Sequence, residues 1–254
     1  NILIFMKNHK TIIIIPARYQ STRFPGKPLV KVLGKPLIQW TAEVCTKAVG
    51  KENVYIATDS IEIEKVVLQL GYKVIMTSSN CLTGTDRLAE ASNKIKADIY
   101  INVQGDEPLI DPNDIIKIIN EKIDHPNNVI NGFTEIDSRV DPDSVNIPKV
   151  VFNEDRILVY MSRKKIPGFK SDKDEPKKYY KQVCIYAFNY DELQTFAKFN
   201  RKSILEQSED IEILRFLEFG KPIRLVKTQD SSLAVDIPED VPILEKAMDD
   251  ILKN

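Results

Sequence analysis

Short apolar runs alternate with helical patterns through the first half of the chain. The first run, Thr11–Ile15, is β-branched at every position, as expected of a strand that is buried on both faces of a sheet. Alternating strands and helices indicate an α/β fold with a mostly parallel, doubly wound sheet. Further strands are predicted at Val54–Ala57, Lys73–Met76 and Ile99–Val103, and helices at Pro36–Val49, Ile61–Gly71 and Asp86–Ile95.

The pattern becomes mixed after about Pro126. A charged stretch at 168–181 predicts a surface loop. We therefore expect a leader without regular structure at 1–10, an α/β part at 11–126, a smaller mixed α+β part at 127–232, and a segment at 233–254 that returns to the first part. The strands predicted here are Val129–Thr134, Lys149–Phe152, Ile157–Tyr160, Val183–Phe188 and Ile223–Lys227, and the helices are Tyr190–Lys198, Ser203–Phe219 and Pro238–Leu252.

Composition excludes several classes of function. The 254 residues include 36 Lys and Arg against 37 Asp and Glu, so no overall positive field would attract a nucleic acid. Two histidines and three cysteines without paired spacing argue against a zinc site. No apolar run approaches the ~20 residues of a membrane span, which favours a soluble, cytoplasmic protein. The chemistry is therefore expected from carboxylates, amines and guanidinium groups.

The segment after the first strand, 16–29, concentrates positive charge. Arg18, Arg23 and Lys27 fall within ten residues, and Ser21 lies between them. Ligands bind at the carboxyl ends of strands in open α/β sheets, so this position favours a triphosphate site over a solvated basic turn. The segment is neither a Walker A loop nor a dinucleotide fingerprint, because both require more glycines.

Two groups of carboxylates could hold a metal ion. Asp106 and Glu107 follow the strand at 99–103, and such oxygens suit Mg²⁺, which fills its remaining positions with phosphate and water. The alternative is a turn that caps the helix after Asp111. Asp236 precedes another predicted helix and could be its cap. If it lay opposite Asp106, the pair would form a metal clamp.

Five segments occur in order along the chain: PARYQSTRFPGKPL at 16–29, ATD at 57–59, TGTDR at 83–87, NVQGDEP at 102–108 and VDIPED at 235–240. Together they resemble the 3-deoxy-manno-octulosonate (Kdo) cytidylyltransferases, or CMP-Kdo synthetases, from about Thr11 to the C-terminus. The resemblance implies a Rossmann-like nucleotidyltransferase sheet with a smaller dimerisation and sugar-binding portion. It also implies a bacterial homodimer that uses Mg²⁺ to transfer CMP from CTP to the anomeric hydroxyl of a keto sugar acid for surface polysaccharides such as lipopolysaccharide.

The resemblance also assigns expected roles to individual residues. Arg18, Lys27 and Asp106 would be catalytic, and Asp106 and Asp236 would bind the metal ion. The expected nucleotide-binding set is Ala17, Arg18, Ser21, Arg23, Lys27, Thr58, Asp59, Thr83, Gly84, Thr85, Arg87 and Asp106. The expected sugar-acid-binding set is Gln104, Arg163, Gln182, Tyr186, Glu212 and Ile213.

The sequence departs from the family in the expected sugar pocket. Gln182 stands where the family usually has His, Cys184 where it has Gly, and Ile213 where it has Gln. A buried hydroxyl that loses its hydrogen-bond partner costs ~1–3 kcal/mol, so the acceptor could differ from Kdo. The open alternatives are a related acid, such as an amino- or deoxy-substituted octulosonate or a phosphonate, and a CTP-binding module without turnover. Transfer of other bases is disfavoured, since related families carry a glycine-rich first loop.

Overall fold

The isoleucine run forms an interior strand of the main sheet, between two parallel neighbours. In the computed structural model, which describes residues 9–20, 23–137, 140–229 and 233–253, this strand is buried at all seven positions. The strands are β1 (Thr11–Ala17), β2 (Lys31–Val32), β3 (Lys35–Pro36), β4 (Val54–Thr58), β5 (Lys73–Met76), β6 (Ile99–Val103), β7 (Val129–Glu135), β8 (Lys149–Phe152), β9 (Leu158–Ser162), β10 (Tyr180–Phe188) and β11 (Ile223–Lys227).

The main sheet runs in the order β11-β7-β10-β6-β1-β4-β5, and β8 and β9 extend it from β10. Strands β6, β1, β4 and β5 are parallel, so their carboxyl ends share one edge. Strand β10 is antiparallel to both β6 and β7, while β11 is parallel to β7. The sheet is therefore continuous across residue 126, and the domain boundaries stay a prediction.

Side-chain caps start several of the helices. Ser60, Thr83, Asp111 and Asn189 each accept a hydrogen bond from a backbone N–H of the first turn. No helix among the described residues is both long and apolar enough to cross a membrane. The helices are α1 (Leu37–Val49), α2 (Ile61–Gln69), α3 (Gly84–Lys94), α4 (Pro112–Asp124), α5 (Tyr190–Lys198), α6 (Ile204–Glu209), α7 (Leu214–Glu218) and α8 (Asp240–Leu252).

Helices cover both faces of the sheet, and β1 contributes to both layers of the core. Ile12 and Ile14 pack in the cluster that contains Leu88 of α3, while Ile13 and Ile15 pack in the cluster that contains side chains of α1 and α4. Because successive side chains of a strand point to opposite faces, a strand covered on both sides needs apolar residues at every position. This confirms the predicted α/β class and the mostly parallel, doubly wound sheet.

The prediction of one helix over Ser203–Phe219 is wrong. Asp210 has a left-handed backbone with φ of 51° and ends α6, and α7 begins only at Leu214. Arg163 donates to the backbone carbonyls of Glu209 and Asp210, so tertiary bonds replace the continuing helix. The break changes which residues face the candidate site.

Smaller differences concern element ends. The predicted loop at 168–181 overlaps β10, which begins at Tyr180 because that ring packs against Phe133 and Phe152. Helix α8 begins two residues after the predicted Pro238, and its side chains pack with the β2–β3 hairpin. Residues 1–8 of the predicted leader lie outside the described residues.

Candidate active site

A cavity of about 390 Å³ opens at the carboxyl ends of β1 and β6. Its lining comes from the segments 16–18, 23–28, 81–87, 104–106 and 202–212, together with Leu37 and Asp236. The structure thus brings most of the expected site residues together. Those that line the cavity are Ala17, Arg18, Arg23, Lys27, Thr83, Gly84, Arg87, Gln104, Asp106, Glu212 and Asp236.

The chain leaves β1 through a turn that directs positive charge at the cavity. Gly26 has φ of +70°, a conformation that favours glycine, and its N–H donates to the carbonyl of Tyr19 at 2.8 Å. A short 3₁₀ helix, Lys27–Leu29, follows. Arg18 lines the cavity, is exposed, and forms no hydrogen bond with the described residues. The expected ligand Ser21 lies outside the described residues.

Lys27 joins two carboxylates that are far apart in the sequence. Its Nζ lies 2.5 Å from Asp106 Oδ2 and 3.8 Å from Asp236 Oδ1, and it donates to the carbonyl of Val235 at 2.7 Å. Arg23 Nη2 contacts Asp236 Oδ1 at 3.0 Å. The segment around Asp236 is fixed to the strand end by the Val235 N–H, which donates to the Asp106 carbonyl at 3.3 Å.

The two carboxylates form a donor set that fits a hard divalent cation. Both lie within 4 Å of the same ammonium nitrogen, so their oxygens could converge on one ion. Mg²⁺ typically takes one or two carboxylates and completes its octahedron with phosphate oxygens and water. Within the described ranges, no group of three or more His, Cys, Asp or Glu side chains could hold a metal. An ion here would therefore depend on oxygens of the bound substrate.

Helix α3 starts at the cavity wall. Thr83 Oγ1 accepts from the N–H of Asp86 at 3.1 Å and donates to Asp86 Oδ2 at 2.9 Å, which fixes the first turn. A Cβ on Gly84 would lie 3.1 Å from Gln104 Nε2 and 3.3 Å from Pro16 Cγ. A side chain at position 84 would therefore require Gln104 or Pro16 to move by a few tenths of an ångström.

Glu212 is a carboxylate inside the cavity that takes its partners from α3 and β6. Its Oε2 accepts from the backbone N–H of Thr85 at 3.1 Å, and its Oε1 accepts from Gln104 Nε2 at 3.5 Å. Burial raises the pKa of the Glu212 carboxyl above its usual value, against the effect of the Thr85 N–H. Thr85 thus contacts the site through its backbone.

Three expected nucleotide-binding residues form a support beside the cavity. Arg87 is almost fully buried and donates to Thr77 Oγ1 at 2.5 Å and to Asp59 Oδ2 at 3.2 Å. Thr58 Oγ1 accepts from the N–H of Ser60 at 3.2 Å. Thr58 and Asp59 do not line the cavity, whereas Arg87 does.

The expected sugar-acid residues are divided between the cavity and the protein interior. Gln104 and Glu212 line the cavity; Gln182, Tyr186 and Ile213 do not. Gln182 Nε2 donates to Asn131 Oδ1 at 3.2 Å and to the Tyr186 hydroxyl at 3.1 Å. Ile213 is only 1% exposed and belongs to the core.

Arg163 also lies outside the cavity lining. Its Nε donates to the carbonyl of Glu209 at 2.6 Å, Nη1 to that of Val145 at 3.0 Å, and Nη2 to that of Asp210 at 3.0 Å. A guanidinium that donates to three carbonyls is held in place. Arg163 therefore fixes the end of α6, and its expected role in acceptor binding stays a prediction.

A buried arginine that the sequence did not indicate as part of the site holds the cavity walls together. Arg215 is 0% exposed and donates to Glu206 through Nε and Nη2, both at 2.7 Å, and to Asp86 at 2.9 and 3.3 Å. Its guanidinium also stacks 3.7 Å from the centre of the Phe196 ring. Glu206 itself lines the cavity. Arg215 thus connects the start of α3 with α6.

Lys202 and Asp210 also line the cavity, and neither was expected. Lys202 Nζ lies 2.8 Å from Asp210 Oδ1. In a continuous helix, residues eight apart are separated by about 12 Å along the axis, so the helix predicted over Ser203–Phe219 gave no reason to expect this contact.

The comparisons with known proteins agree with this geometry. Residues 12–223 match the model of a family described as cytidylyltransferase. The chain belongs to the cytidylyltransferase family. It is 38% identical over 229 residues to 3-deoxy-manno-octulosonate cytidylyltransferase of Escherichia coli, with 90% of this chain and 92% of that protein covered.

Two further members of the family extend the comparison. The 8-amino-3,8-dideoxy-manno-octulosonate cytidylyltransferase of Shewanella oneidensis is 39% identical over 242 residues, covering 93% of this chain and 97% of that protein. The solved structure of CMP:2-keto-3-deoxy-manno-octonic acid synthetase in complex with CTP superposes with a TM-score of 0.88 at 37% identity, covering 95% of this chain and 99% of that one. The resemblance to the 3-deoxy-manno-octulosonate cytidylyltransferases is therefore confirmed.

Proposed function

We propose that this protein transfers CMP from CTP to the anomeric hydroxyl of a 3-deoxy-2-keto sugar acid of the manno-octulosonate type and releases pyrophosphate. The observation that carries the proposal is the convergence of Lys27, Arg23, Asp106 and Asp236 at the carboxyl edge of the sheet, beside the start of α3. Cations that face two carboxylates suit a triphosphate bound with a divalent metal. Relatives with this named activity cover nearly the whole chain.

In this reaction the acceptor hydroxyl releases its proton and its oxygen forms a bond to the α-phosphorus, while the bond from that phosphorus to the pyrophosphate oxygen breaks. The protein must mainly align these groups and neutralise charge. Arg18, Arg23 and Lys27 would bind the triphosphate, and their fixed positive charge would favour the departing pyrophosphate. Gln104 and Glu212 lie on the same cavity and would orient the acceptor hydroxyls.

Asp106 and Asp236 would hold the Mg²⁺ ion. When bound, the ion neutralises phosphate charge and lowers the pKa of an attacking hydroxyl. Lys27 already lies between the two carboxylates, so its ammonium holds them together before substrate binds. We also propose that the protein forms a homodimer. Val159 is exposed on β9, which pairs only with β8 within the described sheet, and this surface would suit a contact between subunits. Sedimentation equilibrium would measure the mass of the assembly.

The reaction is tested by measuring pyrophosphate release with Mg²⁺ and each of CTP, UTP, ATP and GTP. Kdo and its 8-amino-8-deoxy analogue serve as separate acceptors, since relatives named for each are similarly identical to this chain. We expect release with CTP only. Asp106→Asn and Asp236→Asn should abolish most of it, whereas Asp191→Asn, on the exposed face of α5, should not. Calorimetric CTP binding without release on either acid would contradict transfer and indicate a binding module.

A further inference from the structure

The segment 202–212 forms a wall of the cavity that is separate from the basic loop after β1. It contributes Lys202, Glu206, Asp210 and Glu212 to the lining. Glu206 is bound to Arg215, and Glu212 accepts from Thr85 and Gln104, as described above. Lys202 and Asp210 differ from these, because within the described residues their side chains form one ion pair, with each other, at 2.8 Å.

The Lys202–Asp210 pair lies close to solvent. The Lys202 side chain is 37% exposed and that of Asp210 is 74% exposed. The pKa of the Asp210 carboxyl is lowered by the hydrogen bond from Lys202, and also by the charges of Arg163 and Arg23. Arg23 and Asp210 line the same cavity, so the basic loop and this wall face a common space. An ion pair with this exposure contributes little free energy, so either partner can be exchanged for a ligand group.

The other cations of the cavity already have partners or belong to the opposite wall. Lys27 is bound to Asp106 and Val235, and Arg87 to Asp59 and Thr77. Arg18 and Arg23 lie on the basic loop, where the triphosphate is expected. Arg163, the cation that the resemblance suggested for the acceptor side, donates to three backbone carbonyls and does not itself line the cavity. Among the lysines and arginines of the described residues that line the cavity, Lys202 is therefore the one on the wall that also carries Glu212, where the acceptor is expected.

We propose that Lys202 binds the carboxylate of the acceptor acid, exchanging Asp210 for it, and so contributes to acceptor specificity. This inference rests on the proposed function. A lysine ammonium is a compact charge on a flexible stem, and it can move between two carboxylates without a change in the backbone. Arg163 keeps the Asp210 backbone fixed, so the exchange involves side chains alone. The remaining Asp210 charge would then face solvent.

Steady-state kinetics of Lys202→Ala test this role. At saturating CTP, we expect the KM for the acceptor to rise about tenfold or more, with kcat and the KM for CTP unchanged, because a uniform binding contact is lost. Lys202→Arg should restore most of the affinity. Lys198→Ala, an exposed lysine on α5 outside the lining, is the matched control and should behave as the wild type. Equal thermal midpoints would show that the variants are folded.

A second measurement identifies the group that Lys202 contacts. The acceptor's methyl ester should be a much poorer substrate than the acid for the wild type, yet similar to the acid for Lys202→Ala, because the contact is already absent there. Asp210→Asn should lower the acceptor KM, since Lys202 loses its competing partner. An unchanged acceptor KM in Lys202→Ala, a raised KM for CTP instead, or a raised acceptor KM in Asp210→Asn would overturn the inference. Activity of the wild type in the same assay tests the proposed function independently.

Discussion

Arg215 connects the two walls of the cavity, and its replacement by methionine should destabilise the fold strongly. The guanidinium is 0% exposed, the Glu206 side chain that it contacts is 1% exposed, and that of Asp86 is 12% exposed. Arg215→Met would leave a buried carboxylate without its main partner, and breaking a buried pair in this way costs about 3–5 kcal/mol. For a protein of this size, each kcal/mol lowers the thermal midpoint by about 2–4 °C, so we expect a decrease of about 6–20 °C.

The assay is thermal unfolding followed by circular dichroism at pH 7. Arg201→Met is the matched control, because Arg201 is exposed and surface substitutions usually change stability by about 0.5 kcal/mol or less. Adding Glu206→Gln to Arg215→Met should recover part of the loss, since the unpaired charge is removed. A decrease below about 2 °C for the single variant, or a further loss in the double variant, would refute the interpretation of this network.

Three other changes have expected outcomes. Lys122 and Glu192 form an ion pair with both side chains 1% exposed, so Lys122→Met should cost about 3–5 kcal/mol in urea unfolding, and Lys122→Met with Glu192→Leu should recover most of it. Hydrogen bonds from a backbone N–H and two hydroxyls, against burial, lower the pKa of Glu209 below its ordinary 4.5. The stability that Glu209 contributes is therefore present above pH 4.5 and is lost as the pH falls through its folded-state pKa. If the thermal midpoint of Glu209→Gln fell with acid as steeply as that of the wild type, this interpretation would be contradicted. Lys27→Met should lower kcat/KM for CTP by about a hundredfold or more, and a decrease below tenfold would exclude a central role.

The sequence predicts the parallel half of the fold well because local pattern and tertiary environment agree there. An all-β-branched run such as Thr11–Ile15 suits only a strand covered on both faces, and both faces are covered. The edge that carries the basic loop and Asp106 follows from the same topology, since the carboxyl ends of parallel strands meet. The contact of Lys27 with the Val235 carbonyl required the structure, because the two residues lie 208 positions apart in the chain.

The second wall of the cavity could not be predicted, because tertiary contacts override the helical pattern there. Residues 203–219 have a helical period, yet Arg163 holds the carbonyls of Glu209 and Asp210 and the helix ends. That break places Lys202 beside Asp210 and directs Glu212 into the cavity. Resemblance alone suggested Arg163, Gln182, Tyr186 and Ile213 as acceptor ligands. None of them lines the cavity, and their roles stay a prediction.

The central claim is that this cavity joins CMP to a sugar acid. Mass spectrometry of a reaction containing the protein, CTP, Mg²⁺ and Kdo or its 8-amino analogue tests it most directly. The account predicts a CMP-linked sugar acid formed in step with pyrophosphate, and little of either product with Lys27→Met. Free CMP or CDP without a sugar-linked product on either acid, from protein that binds CTP, would contradict it.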